Sequence, residues 1–238
     1  MTATRPTTRR RTPAGAVAAG VLPVALSLIP ATGTLPVTTA QCGVQCGKER
    51  WPVKTLSDGA APNVVLTPLP SSVASLVSAS TPPSPLDDSR APLEMQAVTV
   101  DAQLVGYKEE MVDHDFHIVL RDPGTNDTMI VEIPDPQCVG VCASVAGAQI
   151  ATARSSFSST MTVQPAAKFV AFSTPVRVTV AGVPFFDFHH GQTGVAKNCV
   201  EIHPVLAIAF PDGKPVQSPK PGGEPTPLPE EDYNCVKE

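Results

Sequence analysis

The first forty residues contain no aspartate and no glutamate, although they carry Arg5, Arg9, Arg10 and Arg11. That lack of negative charge precedes an apolar run from Ala14 to Ile29, broken by Gly20 and Pro23. A small-residue stretch then ends in Thr38-Thr39-Ala40. A basic start, a short apolar centre and a small residue before cleavage make up a secretory signal. The run is also too short for a membrane anchor, which needs about 20 apolar residues. The reading is a signal peptide over 1–40, cleaved near Ala40, with no membrane span left afterwards. The arginine triplet hints at twin-arginine export, but Thr12-Pro13 stands where apolar residues belong.

Positive charge is what the rest of the chain has little of. Four of the 17 basic residues and none of the 22 acidic ones lie in 1–40, so the remainder carries 13 against 22, a formal charge of −9. Proteins that wrap nucleic acid present basic surfaces. This balance makes nucleic acid an unfavoured partner and leaves an extracellular or cell-envelope partner as the expectation.

Several catalytic signatures are missing as well. There is no H-E-x-x-H, no paired C-x-x-C and no Walker sequence after Gly191-Gln192-Thr193-Gly194. The absence of G-x-S-x-G removes support for a serine hydrolase of the α/β type. Asn126-Asp127-Thr128 matches a glycosylation sequon, a short match in a chain whose export signal looks bacterial.

Six cysteines are present: Cys42, Cys46, Cys138, Cys142, Cys199 and Cys235. An even number in an exported chain reads first as disulfides. The rival is a metal site built from the two C-x3-C pairs. Residues four apart on a helix hold their Cβ atoms about 5–6 Å apart, whereas a disulfide wants about 3.5–4.5 Å. Long-range bonds are therefore expected rather than Cys138–Cys142, with Cys235 stapling the tail, a role for which Cys199 is the candidate.

Along the chain, 41–93 reads as a lead-in rich in Pro, Ser and Ala, with Trp51 as a packing anchor. Within it, Pro70 to Ser78 suits a short helical turn with Val73, Leu76 and Val77 facing inward. Val98, Val100, Ala102 and Leu104 alternate with polar residues, as do Phe116, Ile118 and Leu120, which is the period of half-buried strands. The turn cluster Pro123 to Asp127 leads to a third strand, Thr128 to Ile133. Asp135-Pro136 then suits a helix start, and Cys142, Ala146, Ile150, Ala153 and Phe157 make one helical stripe of about twenty residues. Pro175 to Phe188, with Gly182 as a bulge, and Asn198 to Phe210 complete the strands. Seven prolines from Pro211 onward predict a disordered tail over 211–238.

The fold class predicted is mainly β with one helix. Three strands, a helix and two strands over 94–210 is the element order of a five-stranded OB-like barrel, in which ligands bind across strands two and three and between two loops. Another small barrel or sandwich is the competitor. Candidate binding or polar-network residues are His117, Arg121, Asp187, His190, Gln192, Glu201 and His203. Among these, His117, His190, Glu201 and His203 are candidate ligands for a divalent metal, since Glu201-x-His203 offers two donors on one strand face. A structural hydrogen-bond network is the stronger reading of the same set. The functional expectation is a secreted binding module of unspecified ligand, with a metal-dependent hydrolase or nuclease as the alternative.

The segments Asp115-x-His117-Ile118-Val119-Leu120, Phe186-Asp187-x-x-His190-Gly191-Gln192-x-Gly194 and Glu201-Ile202-His203-Pro204-Val205 resemble a recurrent group of mostly secreted bacterial proteins of no settled activity. Glu49-Arg50-Trp51-x-Val53-Lys54-Thr55 is similar too, so the resemblance covers most of residues 47–210. It implies no catalytic role for any residue. Two departures are Cys199, where glycine is more usual, and the second imidazole at His189. The first implies a disulfide specific to this branch.

Overall fold

The computed structural model describes Thr2, residues 42–83, 86–211 and 232–236. The signal segment, its cleavage point and residues 212–231 of the tail lie outside the described residues.

Ten helices and strands are described in chain order: α1 (Trp51–Lys54), β1 (Val65–Ser71), α2 (Val73–Val77), β2 (Gln96–Glu109), β3 (Phe116–Arg121), β4 (Thr128–Ile133), α3 (Val139–Cys142), α4 (Gly147–Thr160), β5 (Val170–Phe186) and β6 (Val200–Ala209). Short 3-10 turns occupy Ala61–Asn63 and Pro92–Met95. The fold is mainly β: one sheet of six strands in the order β1-β2-β3-β4-β6-β5, in which β2 also pairs with β5. Most neighbours are antiparallel; β1 with β2 and β4 with β6 are parallel. The parallel seam of β4 and β6 is thin, with Ile130 opposite Glu201 and Val131 opposite Ile202.

Among the described residues the strand count is therefore six, not five, and the sheet is not a clean barrel. The extra strand, β1, comes from the segment read as extended lead-in. Its Pro68 and Pro70 hide it, because proline cannot donate to a ladder and survives only at an edge. Here β1 is that edge, with most of its side chains exposed. The same lead-in supplies core: Val53, Leu56, Val73, Leu76 and Val77 are all buried. α2 forms as its pattern predicts, and Ser72 caps it by accepting from the Ser75 backbone N–H.

The single long helix is also corrected. α3 stops at Cys142, a turn covers 143–146, and α4 begins at Gly147. Asp135 caps a turn instead of the helix, accepting from Gln137 N–H at 2.9 Å through its side chain. In the break, Ser144 Oγ accepts from Ala146 N–H and Val145 N–H donates to Leu56 O. These bonds replace helical ones, so a stripe continuous in sequence is not one continuous helix. Ala146, Ile150, Ala153 and Phe157 nevertheless all face the core, where Phe157 meets Tyr107 edge to face at 5.3 Å.

Gly182 does mark a bulge, with the register of β5 against β6 shifting on both sides of it. A Cβ there would strike Ile202 and the Pro204 carbonyl of β6. Three disulfides join Cys42 to Cys142, Cys46 to Cys138 and Cys199 to Cys235. All are long-range, and no cysteine is left for a metal. Cys199 takes a φ of +53°, a conformation that favours glycine. The disulfide to the chain end is what the side chain provides there.

That bond corrects the last part of the tail. Residues 232–236 are docked: Asn234 N–H donates to Lys197 O, and buried Val236 bridges to Phe188. Disulfides of this number belong to oxidising, extracellular-type compartments. Among the described residues no helix is long and apolar enough to cross a membrane.

Candidate functional site

The strand registers sort the charged residues onto one face. His117 lies opposite Glu132, Ile130 opposite Glu201, and Phe185 opposite Glu201. With a period of two, Asp115, His117, Glu132, Glu201, His203 and Asp187 therefore leave the sheet on one side. Phe116, Ile118, Val131, Ile202 and Phe186 leave it on the other, toward the main core.

A charged face is buried only if something covers it, and the lead-in is the cover. Cys42 and Cys46 tie this segment to Cys142 and Cys138 at the two ends of α3. Val44 adds backbone bonds to Gln137 O and Val139 N–H. Arg50 makes a two-pronged salt bridge to Glu94 at 2.9 and 2.8 Å and donates to Phe186 O. Trp51 packs against the backbone of Gly47 and Gly140, where a Cβ would overlap its indole. Its ring meets His203 edge-on at 6.2 Å. The anchor role predicted for Trp51 is thus specific: it closes the face over His203.

α1 then delivers Lys54. Its ammonium is 3.0 Å from Asp187 Oδ2 and 5.2 Å from the centre of the Phe185 ring. Burial disfavours the charge, but Asp187, Glu132 and Glu201 outweigh it and raise the pKa above that of an ordinary lysine. Glu201 has the opposite fate. It is 1% exposed, and burial together with Asp187 and Glu132 pushes its carboxyl well above the usual range.

Glu132 joins two histidines. Its Oε1 is 2.9 Å from His117 Nδ1 and its Oε2 is 3.2 Å from His203 Nδ1. Burial alone would raise its pKa; the two histidines outweigh burial and hold it well below the usual range. His117 Nε2–H donates to Thr193 O at 2.8 Å, tying the β5–β6 connection to β3. His203 is flanked on the other side by Asp115 Oδ2 at 3.1 Å. Burial opposes its protonation, but Asp115 and Glu132 lift its pKa to about 10. Burial also raises the Asp115 pKa, to about 7, against the pull of His203. These two close contacts of His203 are ion pairs by distance and lack hydrogen-bond alignment. One donor atom each from Asp115, Glu132 and His203 lies within 4.8 Å of the others, a spacing compatible with a shared metal ion.

Above the group is an open cleft of about 360 Å³. The lead-in lines it with Lys48, Glu49 and Lys54, and the β2–β3 connection with Glu110, Val112 and Asp113. His117, Glu132, Asp187 and Glu201 line it too, with His190, Gly191 and Gln192 from the β5–β6 connection. His190 is exposed at the rim. Gln192 braces it, accepting from His190 N–H and donating to Phe188 O. Gly194 lets this connection lie on β3, because a Cβ there would overlap Val119.

Of the seven candidates, His117, Asp187, His190, Gln192 and Glu201 line one cleft, and His203 lies buried beside Glu132. Arg121 is elsewhere, donating to Gln103 Oε1 at 2.7 Å. Of the four candidate metal ligands, His117, His190, Glu201 and His203, only His203 belongs to the metal-competent group. His189, the added imidazole, stacks on Tyr233 at 4.0 Å. Lys54, Asp113 and Asp115 were not foreseen as site residues. Asp113 has a signal in the sequence, since it alternates in phase with Asp115 and His117. Lys54 has no periodic signal, because only the tertiary fold carries it across the sheet. Compared with protein-family models, with curated proteins and with solved structures, the chain shows no match, and no relative lends it an activity.

Proposed function

We propose that the chain is an exported OB-like binding module whose ligand enters the cleft between the β2–β3 and β5–β6 connections. The pairing circuit β2-β3-β4-β6-β5-β2, with α4 between β4 and β5, supports the OB-like reading. In that fold the equivalent strands and loops carry ligands. The single observation that carries the proposal is the chemistry of the cleft. Glu49, Glu110, Asp113, Glu132, Asp187 and Glu201 line it against three lysines, of which Lys54 is already paired with Asp187 and Lys108 with Glu110. Buried Glu201 Oε2 and Asp113 Oδ1 have no hydrogen-bond partner. Such a site favours a ligand that is cationic and rich in hydrogen-bond donors, and repels phosphate. None of its lining residues is Trp, Tyr or Phe, so it offers no stacking platform for a sugar ring. An arginine or lysine side chain of an extracellular or envelope protein fits best.

The test is a heteronuclear NMR titration with a short arginine peptide, a chitotriose and a single-stranded oligonucleotide. Saturable shifts at His117, His190 and Gln192 with the peptide alone are expected, weakening with salt. Failure of the peptide to perturb these signals at millimolar concentration overturns the proposal. The hydrolase alternative finds less support. Of His117, Asp187, His190, Glu201 and His203, only His203 belongs to the metal-competent group, and a catalytic metal keeps an open position. Asp115 and His203 are both 0% exposed.

A further inference from the structure

Buried polar side-chain atoms nearly always find a partner, and the few that do not call for an explanation. Among the described residues six such atoms make no aligned hydrogen bond: Asp113 Oδ1, Asp115 Oδ1 and Oδ2, Glu201 Oε2, and both ring nitrogens of His203, whose contacts with Asp115 and Glu132 are ion pairs by distance alone. They are not scattered through the molecule. Asp113 and Asp115 are two apart before β3, and Glu201 and His203 are two apart on β6. All sit on the charged face around Glu132. Leaving buried carboxylates without donors is costly, and here the cost gathers at one point.

We propose that Asp115, Glu132 and His203 bind a divalent first-row transition cation such as zinc, in a buried site that holds the β2–β3 connection and so preforms the cleft above it. One imidazole with two carboxylates is a donor set suited to zinc. The nitrogen ligand argues against calcium and magnesium, which take oxygen donors. The ion replaces one ring proton of His203 and adds positive charge beside Asp115 and Glu132, while the imidazole keeps its second N–H. Glu132 is shared: its other oxygen holds His117, which holds Thr193 of the β5–β6 connection. An ion at Glu132 therefore orders both walls of the cleft. This site does not depend on what the cleft binds.

Zinc chloride titrated into chelator-treated, disulfide-intact protein tests the proposal. About one zinc per chain is expected by calorimetry, with a higher melting temperature on binding. Asp115→Asn and His203→Gln are expected to weaken zinc by more than about tenfold, while Asp101→Asn, remote on β2, leaves it unchanged. Nitrogen-15 NMR of the unsubstituted protein keeps the test independent of variants that fold poorly. His203 is expected to lose one ring N–H signal when zinc is added. Three results overturn the proposal: no zinc bound at millimolar concentration, zinc binding indifferent to both substitutions, or a His203 ring that keeps both N–H signals in excess zinc. The last would make His203 itself, as an imidazolium, the cation between Asp115 and Glu132.

Discussion

At the scale of single residues, the charged face is governed by which side chains keep partners after leaving water. Lys54 is 5% exposed and is the ammonium nearest Asp187. Lys54→Met leaves Asp187, Glu132 and Glu201 sharing buried negative charge, and is expected to cost about 3–5 kcal/mol. The double variant Lys54→Met/Asp187→Asn should recover part of that loss in urea melts; no recovery would mean that Lys54 acts through packing alone. Glu201 tests the opposite case. Its folded pKa is raised, so below the unfolded value near 4.5 both states are protonated and it costs nothing. As pH rises past that value the unfolded state loses its proton first, and stability falls. Glu201→Gln removes this penalty. Its melting temperature is expected to exceed that of the parent at pH 7 and to match it near pH 4; a lower value at pH 7 sinks the reading.

At the scale of elements, the two loop glycines Gly191 and Gly194 share a φ of +83° but differ in surroundings. Nothing lies within 4 Å of a Cβ built at Gly191, whereas one at Gly194 meets the Val119 side chain. Gly191→Ala should cost only the left-handed strain, about 1–2 kcal/mol. Gly194→Ala should cost about 1–3 kcal/mol more through overlap, and thermal melts of the pair decide it. The strands were legible because alternation survives in sequence: β4 spans Thr128–Ile133 as predicted, and the others differ mainly at their ends. β1 was not, since Pro68 and Pro70 mask a strand whose position at the sheet edge is a tertiary fact. The break between α3 and α4 was likewise hidden, because the Val145 bond that replaces a helical one ends on Leu56, far away in the chain.

At the scale of the whole molecule, the disulfides decide what can move. Cys42–Cys142 and Cys46–Cys138 close loops of 100 and 92 residues, one nested inside the other. Once either is formed, the second closes only a short additional ring and contributes little entropy. Replacing one pair by serine is therefore expected to lower stability far less than replacing both, which should cost about 4–5 kcal/mol. Equal, additive losses in denaturant melts would refute the nested reading. Loss of both should also release the segment carrying Trp51 and Lys54, and with it the cover of the charged face.

The amino-acid pattern alone determined the strand alternation, the inward face of α4, the long-range pairing of the cysteines and the histidine-bearing strands. Each of these depends on local period, charge or spacing, which survive without a fold. The tertiary structure decided the sixth strand, the arrival of Lys54 and Trp51 over the charged face, and the choice of Asp115 rather than His190 beside His203. Those depend on strand register and on a cover brought in from far along the chain by two disulfides. Neither leaves a period in the sequence.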